Sequence, residues 1–268
     1  MITDHCQRWT EHRESRRPAG ELIRTSEYDV ARIGPLVAKA FVEAHHYSGG
    51  CSPTAHPYGL HHRGALVGVA VFGPTASTNA HHAVWGDVLT QKQAVTLGRL
   101  VLLDAVPGNG ESWFVARCFD QLRERGIVAV ESCADPQPRE TADGRRVHRG
   151  HVGTVYCALN GRYVGRTNPA SLCLLPDGTV YSNKESGKVA RGEQGQAYSG
   201  AELVAWGADP LRDGEDPLAW LRLWRPRLTR RFLHYGNHRY MWVLDKRRRR
   251  EILDGKPQLA YPKLGGAA

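Results

Sequence analysis

Residues 97–136 read LGRLVLLDAVPGNGESWFVARCFDQLRERGIVAVESCADP, and three elements follow one another along them. Leu100 to Leu103 is a short, unbroken apolar run, the pattern of a buried strand. Pro107, Gly108 and Gly110 then break the chain, and Asn109 stands where a helix N-cap belongs. Phe114, Val115, Cys118, Phe119 and Leu122 recur at helical spacing over Glu111 to Arg125, with Gly126 at the C-cap position. Ile127 to Val130 is a second buried strand, running out into polar Ser132-Cys133-Ala134-Asp135-Pro136. Strand, loop, helix and strand in this order lay two parallel strands side by side.

A glycine loop that opens a helix turns backbone N–H groups outward, where they suit a phosphate. Leu103, Val106, Gly108, Asn109, Gly110, Glu111 and Ser112 are the residues such a site would use. They equally suit an ordinary tight turn into a capped helix, and Glu111 would repel an anion there. The loop alone leaves both readings open.

Outward from this unit, Ile33, Leu36, Val37, Ala40 and Phe41 mark an amphipathic helix that ends near His45-His46-Tyr47-Ser48-Gly49-Gly50. Tyr58–His62 and Ala65–Phe72 flank Arg63-Gly64 as a β-hairpin, and 73–87 reads as a polar loop. Residues 137–149 are highly charged and read as an exposed insertion. A helix follows over 150–161. Ser171–Leu175 and Thr179–Ser182 flank Pro176-Asp177-Gly178 as a second hairpin. Helices at 201–206 and 217–223 lead to Phe232–Leu244, which brackets Gly236-Asn237, and to a basic block at 246–250. The expected division is a basic flexible arm over 1–20, a core over 21–165, an inserted hairpin and helices over 166–225, and closing strands with a basic tail over 226–268.

The chain has 268 residues, enough for a full core, and 41% are hydrophobic. Its apolar runs are only a few residues long, so neither a transmembrane helix nor a signal-peptide core is expected. Six cysteines without a Cys-x-x-Cys pair suit free thiols in a reducing cytoplasm better than disulfides or zinc. The formal charge of +9 points to a polyanion, nucleic acid ahead of membrane, or to no more than a basic surface. The oligomeric state is not legible.

The element order is that of a mixed α/β sheet with helices on both faces, the order of the GNAT acyltransferases. His45-His46-Tyr47-Ser48-Gly49, Arg99–Asp104 with Asn109-Gly110-Glu111-Ser112, Ala134-Asp135-Pro136 and Gly150–Tyr156 resemble, in order and spacing, the Mom family of bacteriophages. The resemblance is strongest over 97–165. It implies a GNAT-like core with a C-terminal insertion or extension, and a transferase that places a carbamoylmethyl or related acyl-derived group on adenine N6 in double-stranded DNA. Such a base resists host restriction. The resemblance also implies acetyl-CoA or a related acyl-CoA as donor, and iron has been proposed for the family. One departure is Ala105, where GNAT loops place Gln or Arg three residues before the first glycine.

On that basis Asp135, at a strand end, would orient or deprotonate the adenine amine. Tyr156, on the following helix, would serve the departing thiolate. Ser112, Tyr47 and His46 would position donor or base, although each also suits a cap or a buried loop aromatic. His46 and His151 are conceivable metal ligands, but no His-x-x-x-His supports a metal and no metal residue is assigned. Arg225, Arg227, Arg230, Arg231, His238 and Arg239, interleaved with aromatics, are the expected DNA contacts. Two other functions fit the sequence: an N-acetyltransferase acting on a protein or small-molecule amine, and a non-enzymatic DNA-binding protein on a GNAT scaffold.

Overall fold

The structure is a computed structural model, and it describes residues 21–48 and 50–263. The expected basic arm, Cys6 and Gly49 lie outside the described residues. The chain divides into two compact units. Of the described residues, one comprises those up to Pro136, His151–Thr167 and those from Asn237 on; the other comprises Gln137–Gly150 and Asn168–Gly236. The charged 137–149 stretch, expected within the core, therefore belongs with the second unit, as does the strand at 230–234.

The first unit is built on seven strands: β1 (Tyr28–Arg32), β2 (His56–His62), β3 (Ala65–Gly73), β4 (Ala94–Leu102), β5 (Ala129–Ala134), β8 (Arg162–Arg166) and β12 (His238–Val243). Their order in the sheet is β1-β2-β3-β4-β5-β12-β8. Every neighbouring pair is antiparallel except β4 and β5, which are parallel as the strand–loop–helix–strand reading requires. The crossover between them is α3 (Gly110–Glu124), within a residue of the expected helix. Phe114, Val115, Cys118 and Leu122 of α3 are fully buried against Val95, Leu97 and Val130 of the strands. Each such side chain contributes about 1.5–3 kcal/mol, which outweighs the weak helix signal of the charged residues between them. On the opposite face α1 (Pro35–His45) packs Ala38 and Val42 on Val69, Val71 and Val101. Helices thus cover both faces.

Several boundaries differ from the sequence reading. The 73–87 loop contains a helix, α2 (Thr78–Trp85), whose first turn is capped by the Ser77 hydroxyl accepting the Ala80 N–H at 3.1 Å. Strand β5 extends to Ala134, so Glu131 and Ser132 lie inside the sheet; their neighbours supply the polar partners that periodicity does not register. The helix expected over 150–161 is only α4 (Thr154–Ala158). The basic block at 246–250 is a 3-10 turn leading into α8 (Arg249–Leu253). Edge strand β8 is flanked by the C-terminal segment, where the Leu259 N–H donates to the Tyr163 carbonyl at 3.0 Å.

The second unit has a two-stranded ribbon, β6 (Arg139–Glu140) with β7 (Arg146–His148). It also has a three-stranded sheet ordered β10-β9-β11, from β9 (Ala170–Leu174), β10 (Val180–Tyr181) and β11 (Arg230–His234). The hairpin at 176–178 is as expected. Strands β11 and β12, although separated only by Tyr235-Gly236-Asn237, belong to different sheets and do not form a hairpin. Three helices, α5 (Asn183–Arg191), α6 (Gln196–Ala205) and α7 (Pro217–Leu228), supply a separate core around Tyr181, Leu203 and Trp220.

Candidate functional site

Strands β4 and β5 are paired only from Ala94↔Ala129 to Leu97↔Ser132. Beyond that point β4 continues beside β3 to Leu102 and β5 continues beside β12 to Ala134. The parallel pair therefore forks. At the fork the Ser132 hydroxyl donates to the Leu97 carbonyl at 2.8 Å. The pairing of β3 with β4 shifts register here, skipping Gly98, and an extra residue of this kind bends its strand away from its neighbour. A Cβ on Gly98 would also collide with the Ser52 side chain, which lies across it.

Tyr156 reaches the fork from α4. The helix starts at Gly153, whose φ of +81° only glycine adopts readily. A Cβ there would stand 2.7 Å from Tyr156 and 2.9 Å from Tyr240, so glycine also permits this close packing. The Tyr240 hydroxyl donates to the Val152 carbonyl at 2.5 Å and fixes the chain ahead of the helix. Ser132, Tyr47, Cys133 and Arg99 are all close enough to the Tyr156 phenol to act on its charge. Burial raises its pKa well above the usual 10, so the phenol stays protonated.

The segment after α1 brings the remaining groups. His46 is buried, with Nδ1 accepting the Ser48 N–H at 3.1 Å and lying 2.8 Å from the Ser48 hydroxyl. The Tyr47 ring packs on His46 at 4.2 Å, and its hydroxyl stands 3.4 Å from Nε2 of His151. The His151 N–H in turn donates to the Asp135 carbonyl at 2.7 Å. Arg99 ties β4 to this segment, donating through Nε to the Gly50 carbonyl at 2.7 Å. Tyr47, His151, Asp135, Ser132 and Tyr156 thus belong to one connected group in the first unit. Sequence reasoning assigned no role to Ser132 or Arg99. Their signal was weak: one serine in an apolar strand and one arginine in an apolar run.

The glycine loop is less open than expected. Pro107 has no N–H. The N–H groups of Val106, Gly108 and Gly110 donate to the carbonyls of Leu103 (3.0 Å), Glu21 (2.9 Å) and Pro107 (3.1 Å). Leu103 donates to Val67 at 2.8 Å. Asn109 occupies the N-cap position with φ +65°, but its side chain makes no capping bond. Of the expected cradle, the first-turn N–H groups of Glu111 and Ser112 meet no acceptor among the described residues, and the Ser112 hydroxyl donates to the Asn109 carbonyl at 3.2 Å. A groove of about 810 Å³ begins at Asn109 and Ser112 and runs beside Arg117, Leu159, Arg162 and Trp242.

The expected DNA contacts separate. Arg225, Arg227, Arg230 and Arg231 lie in the second unit, the last three exposed. Arg225 donates to the Ser186 hydroxyl at 3.2 Å, and Arg227 stacks on Trp224 at 5.5 Å. His238, in the first unit, is not a surface group: it is 3% exposed, and Nδ1 is 2.7 Å from the Tyr163 hydroxyl. Arg239 faces the buried Glu131 carboxylate, Nε to Oε2 being 3.5 Å. Burial takes His238 away from a phosphate-contacting role, while Arg239, partly exposed, is engaged with Glu131. Among the described residues no group of three or more His, Cys, Asp or Glu side chains could hold a metal ion, so the residues do not fit iron. No described helix is long and apolar enough to cross a membrane.

Structural comparison gives acetyltransferases at low identity. A GNAT family N-acetyltransferase (YhbS) from Escherichia coli in complex with CoA is 18% identical over 46% of this chain and 68% of its own, with a TM-score of 0.31. The yncA putative acetyltransferase from Salmonella typhimurium, with acetyl-CoA, is 10% identical over 82% of this chain and 95% of its own, at 0.38. The Drosophila melanogaster polyamine N-acetyltransferase is 11% identical over 81% and 99%, at 0.38. No curated protein sequence matches the chain. The Mom protein family matches residues 27–212, which include β1 to β5, the fork, α4 and much of the second unit. With more than half its length matched, the chain belongs to the Mom protein family.

Proposed function

We propose that this protein is a transferase that modifies adenine in DNA at the exocyclic N6, adding a carbamoylmethyl or related acyl-derived group that blocks host restriction enzymes. The observation that carries the reading is the convergence on the β4/β5 fork of Tyr47, His151, Ser132 and Tyr156, drawn from four separate segments. Membership of the Mom protein family, whose motifs carry the expectation of adenine modification, supports the reading.

The fork and the groove beside α3 fit an acyl-CoA. The unpaired β4 edge would take the amides of its arm, and the first turn of α3 with Ser112 and Arg117 would take its phosphates. Gly108 and Gly110 contribute shape rather than donors. Bound there, an acyl-CoA would supply an acyl carbon activated as its thioester, so the step these residues serve is N6-acylation with the thiol as leaving group; a carbamoylmethyl product would need a nitrogen donor besides. Tyr156 would keep its proton and donate a hydrogen bond toward the departing sulfur; its raised pKa suits a donor that stabilises an anion better than one that gives up its proton. Ser132 orients that phenol. Asp135 accepts a proton from the adenine amine or aligns it, and Tyr47 with His46 offers an aromatic surface for an extruded base. Arg225, Arg227, Arg230 and Arg231 contact DNA phosphates.

Mass spectrometry of nucleosides from plasmid DNA, after expression in a bacterium, tests the reading. A deoxyadenosine heavier by a carbamoylmethyl or related acyl-derived group is expected, and Asp135→Ala should abolish it in a folded protein. Unmodified DNA together with an acetylated protein or small amine would replace the reading with that of an acetyltransferase. Salt-dependent DNA binding with no product of any kind would replace it with that of a DNA-binding protein.

A further inference from the structure

In the second unit β11 alternates from Arg231 onward. Phe232 and His234 turn inward, His234 to 6% exposure, while Arg231, Leu233 and Tyr235 stand on the opposite face. Leu233 is 49% and Tyr235 54% exposed, so an aliphatic and an aromatic side chain project together from one strand end. Exposed apolar groups are ordinary one at a time. Here they are held in place. The Gln137 side-chain amide acts as one more rung on the open edge of β11: Nε2 donates to the Leu233 carbonyl at 2.6 Å, and Oε1 accepts the Tyr235 N–H at 3.0 Å. The Gly236 N–H donates to His234 Nδ1 at 3.1 Å and closes the turn. Arg231 is fixed along the same face by its bond from Nε to the Ser171 hydroxyl at 2.9 Å, and Arg230 by its bond to the Glu140 carbonyl at 2.5 Å.

We infer that Leu233 and Tyr235 form a wedge that enters duplex DNA and props open a base step, with Arg230 and Arg231 on the flanking phosphates. The inference rests on the proposed adenine-modifying function and adds to it the step that reaches the base. An amine inside a base pair is closed to an enzyme until the nucleotide leaves the stack, and inserted apolar side chains are a known means of unstacking. Charge selects this occupant over an apolar protein surface: the stripe carries Arg231 on its own face and Arg230 beside it, residues 230–236 include no carboxylate, and the neighbouring Glu140 carboxylate is paired with Arg146 at 3.6 Å. Rigidity matters as well, because a loose loop would lose on insertion the freedom that the Gln137 clamp has already removed.

The test uses the full chain and a set of duplex oligonucleotides carrying 2-aminopurine at successive positions, whose fluorescence rises where the base unstacks. The wild type should raise it, and Leu233→Ala/Tyr235→Ala should abolish the rise while unfolding at the wild-type temperature. In modification assays the same variant should lose at least about tenfold on duplex DNA and less than about twofold on a single strand. Gln137→Met, which leaves both wedge side chains in place but removes the clamp, should fall between. Absence of the fluorescence rise with wild type, or equal losses on duplex and single strand, overturns the wedge. A rise with wild type but no modified adenine in any substrate keeps the wedge and overturns the proposed reaction. Self-association or a protein contact that disappears in the double variant, with the fluorescence unchanged, reassigns the stripe to a protein partner and overturns the inference.

Discussion

The phenol oxygen of Tyr47 lies 3.4 Å from Nε2 of His151, across 104 residues of sequence. The contact joins the segment after α1 to the segment after β5, and the latter is itself held by the His151 N–H on the Asp135 carbonyl. If the pair works as one unit, its two members should not be independent. Tyr47→Phe should lower adenine modification about fivefold, the effect of one modest hydrogen bond. His151→Gln should cost about the same, and the double variant no more than the worse single. The measure is product per hour on a fixed duplex. Additive losses would show that the two side chains act separately.

Tyr156 gives a sharper case. Its phenol is buried beside Ser132 and held well above its usual pKa, so it does not ionise between pH 6 and 10. Tyr156→Phe should therefore reduce turnover on the order of 100-fold, while the shape of the pH profile over that range stays as in wild type. The variant should also keep its melting temperature, because the ring still packs on Tyr240 and Trp242. A basic limb that vanishes in Tyr156→Phe would mean that the phenol titrates during the reaction after all.

What the sequence made legible, and what it hid, follows from the kind of signal each element carries. The α3 crossover was legible because Pro107, Gly108 and Gly126 punctuate a strong apolar period. Strands β1 and β8 escaped notice: Tyr-Asp-Val-Ala-Arg and Arg-Tyr-Val-Gly-Arg are short and largely polar, and only pairing with β2 and β12 makes them strands. Helix α2 was hidden by His81 and His82, although His81 is buried with Nε2 bonded to the Leu89 carbonyl at 2.6 Å. In the site, Tyr47, Asp135 and Tyr156 could be named because the family motifs contain them. The fork and the consumed amides of the glycine loop could not, since both depend on what lies across the sheet or on Glu21, far off in sequence.

Glu131 and Arg239 illustrate a buried pair that no periodicity reveals. The Glu131 carboxylate is 5% exposed, accepts the Thr96 hydroxyl at 3.1 Å and faces Arg239 at 3.5 Å. Burial raises its pKa despite Arg239. Arg239→Met leaves that carboxylate without its cation and should cost about 3 kcal/mol in denaturant unfolding. Arg239→Met with Glu131→Gln should recover most of the loss. If the single variant is as stable as wild type, the carboxylate is already neutral in the folded protein.

Glu202, in α6 of the second unit, sets a pH window of its own. Burial, with Glu185 and Asp177 nearby, raises its carboxyl from the usual 4.5 to about 7. A group whose folded pKa is raised stabilises the fold fully below its unfolded value and ceases to do so as pH rises through its folded value. The second unit should therefore lose stability between about pH 4.5 and 7 and show no further change from this group above that. Glu202→Gln cannot ionise, so its melting temperature should be flat across the same window where wild type declines. The two proteins should converge at pH 5 and differ most at pH 8, with the variant the more stable. Melting curves that decline in parallel would place the titration elsewhere and leave Glu202 ionised at neutral pH.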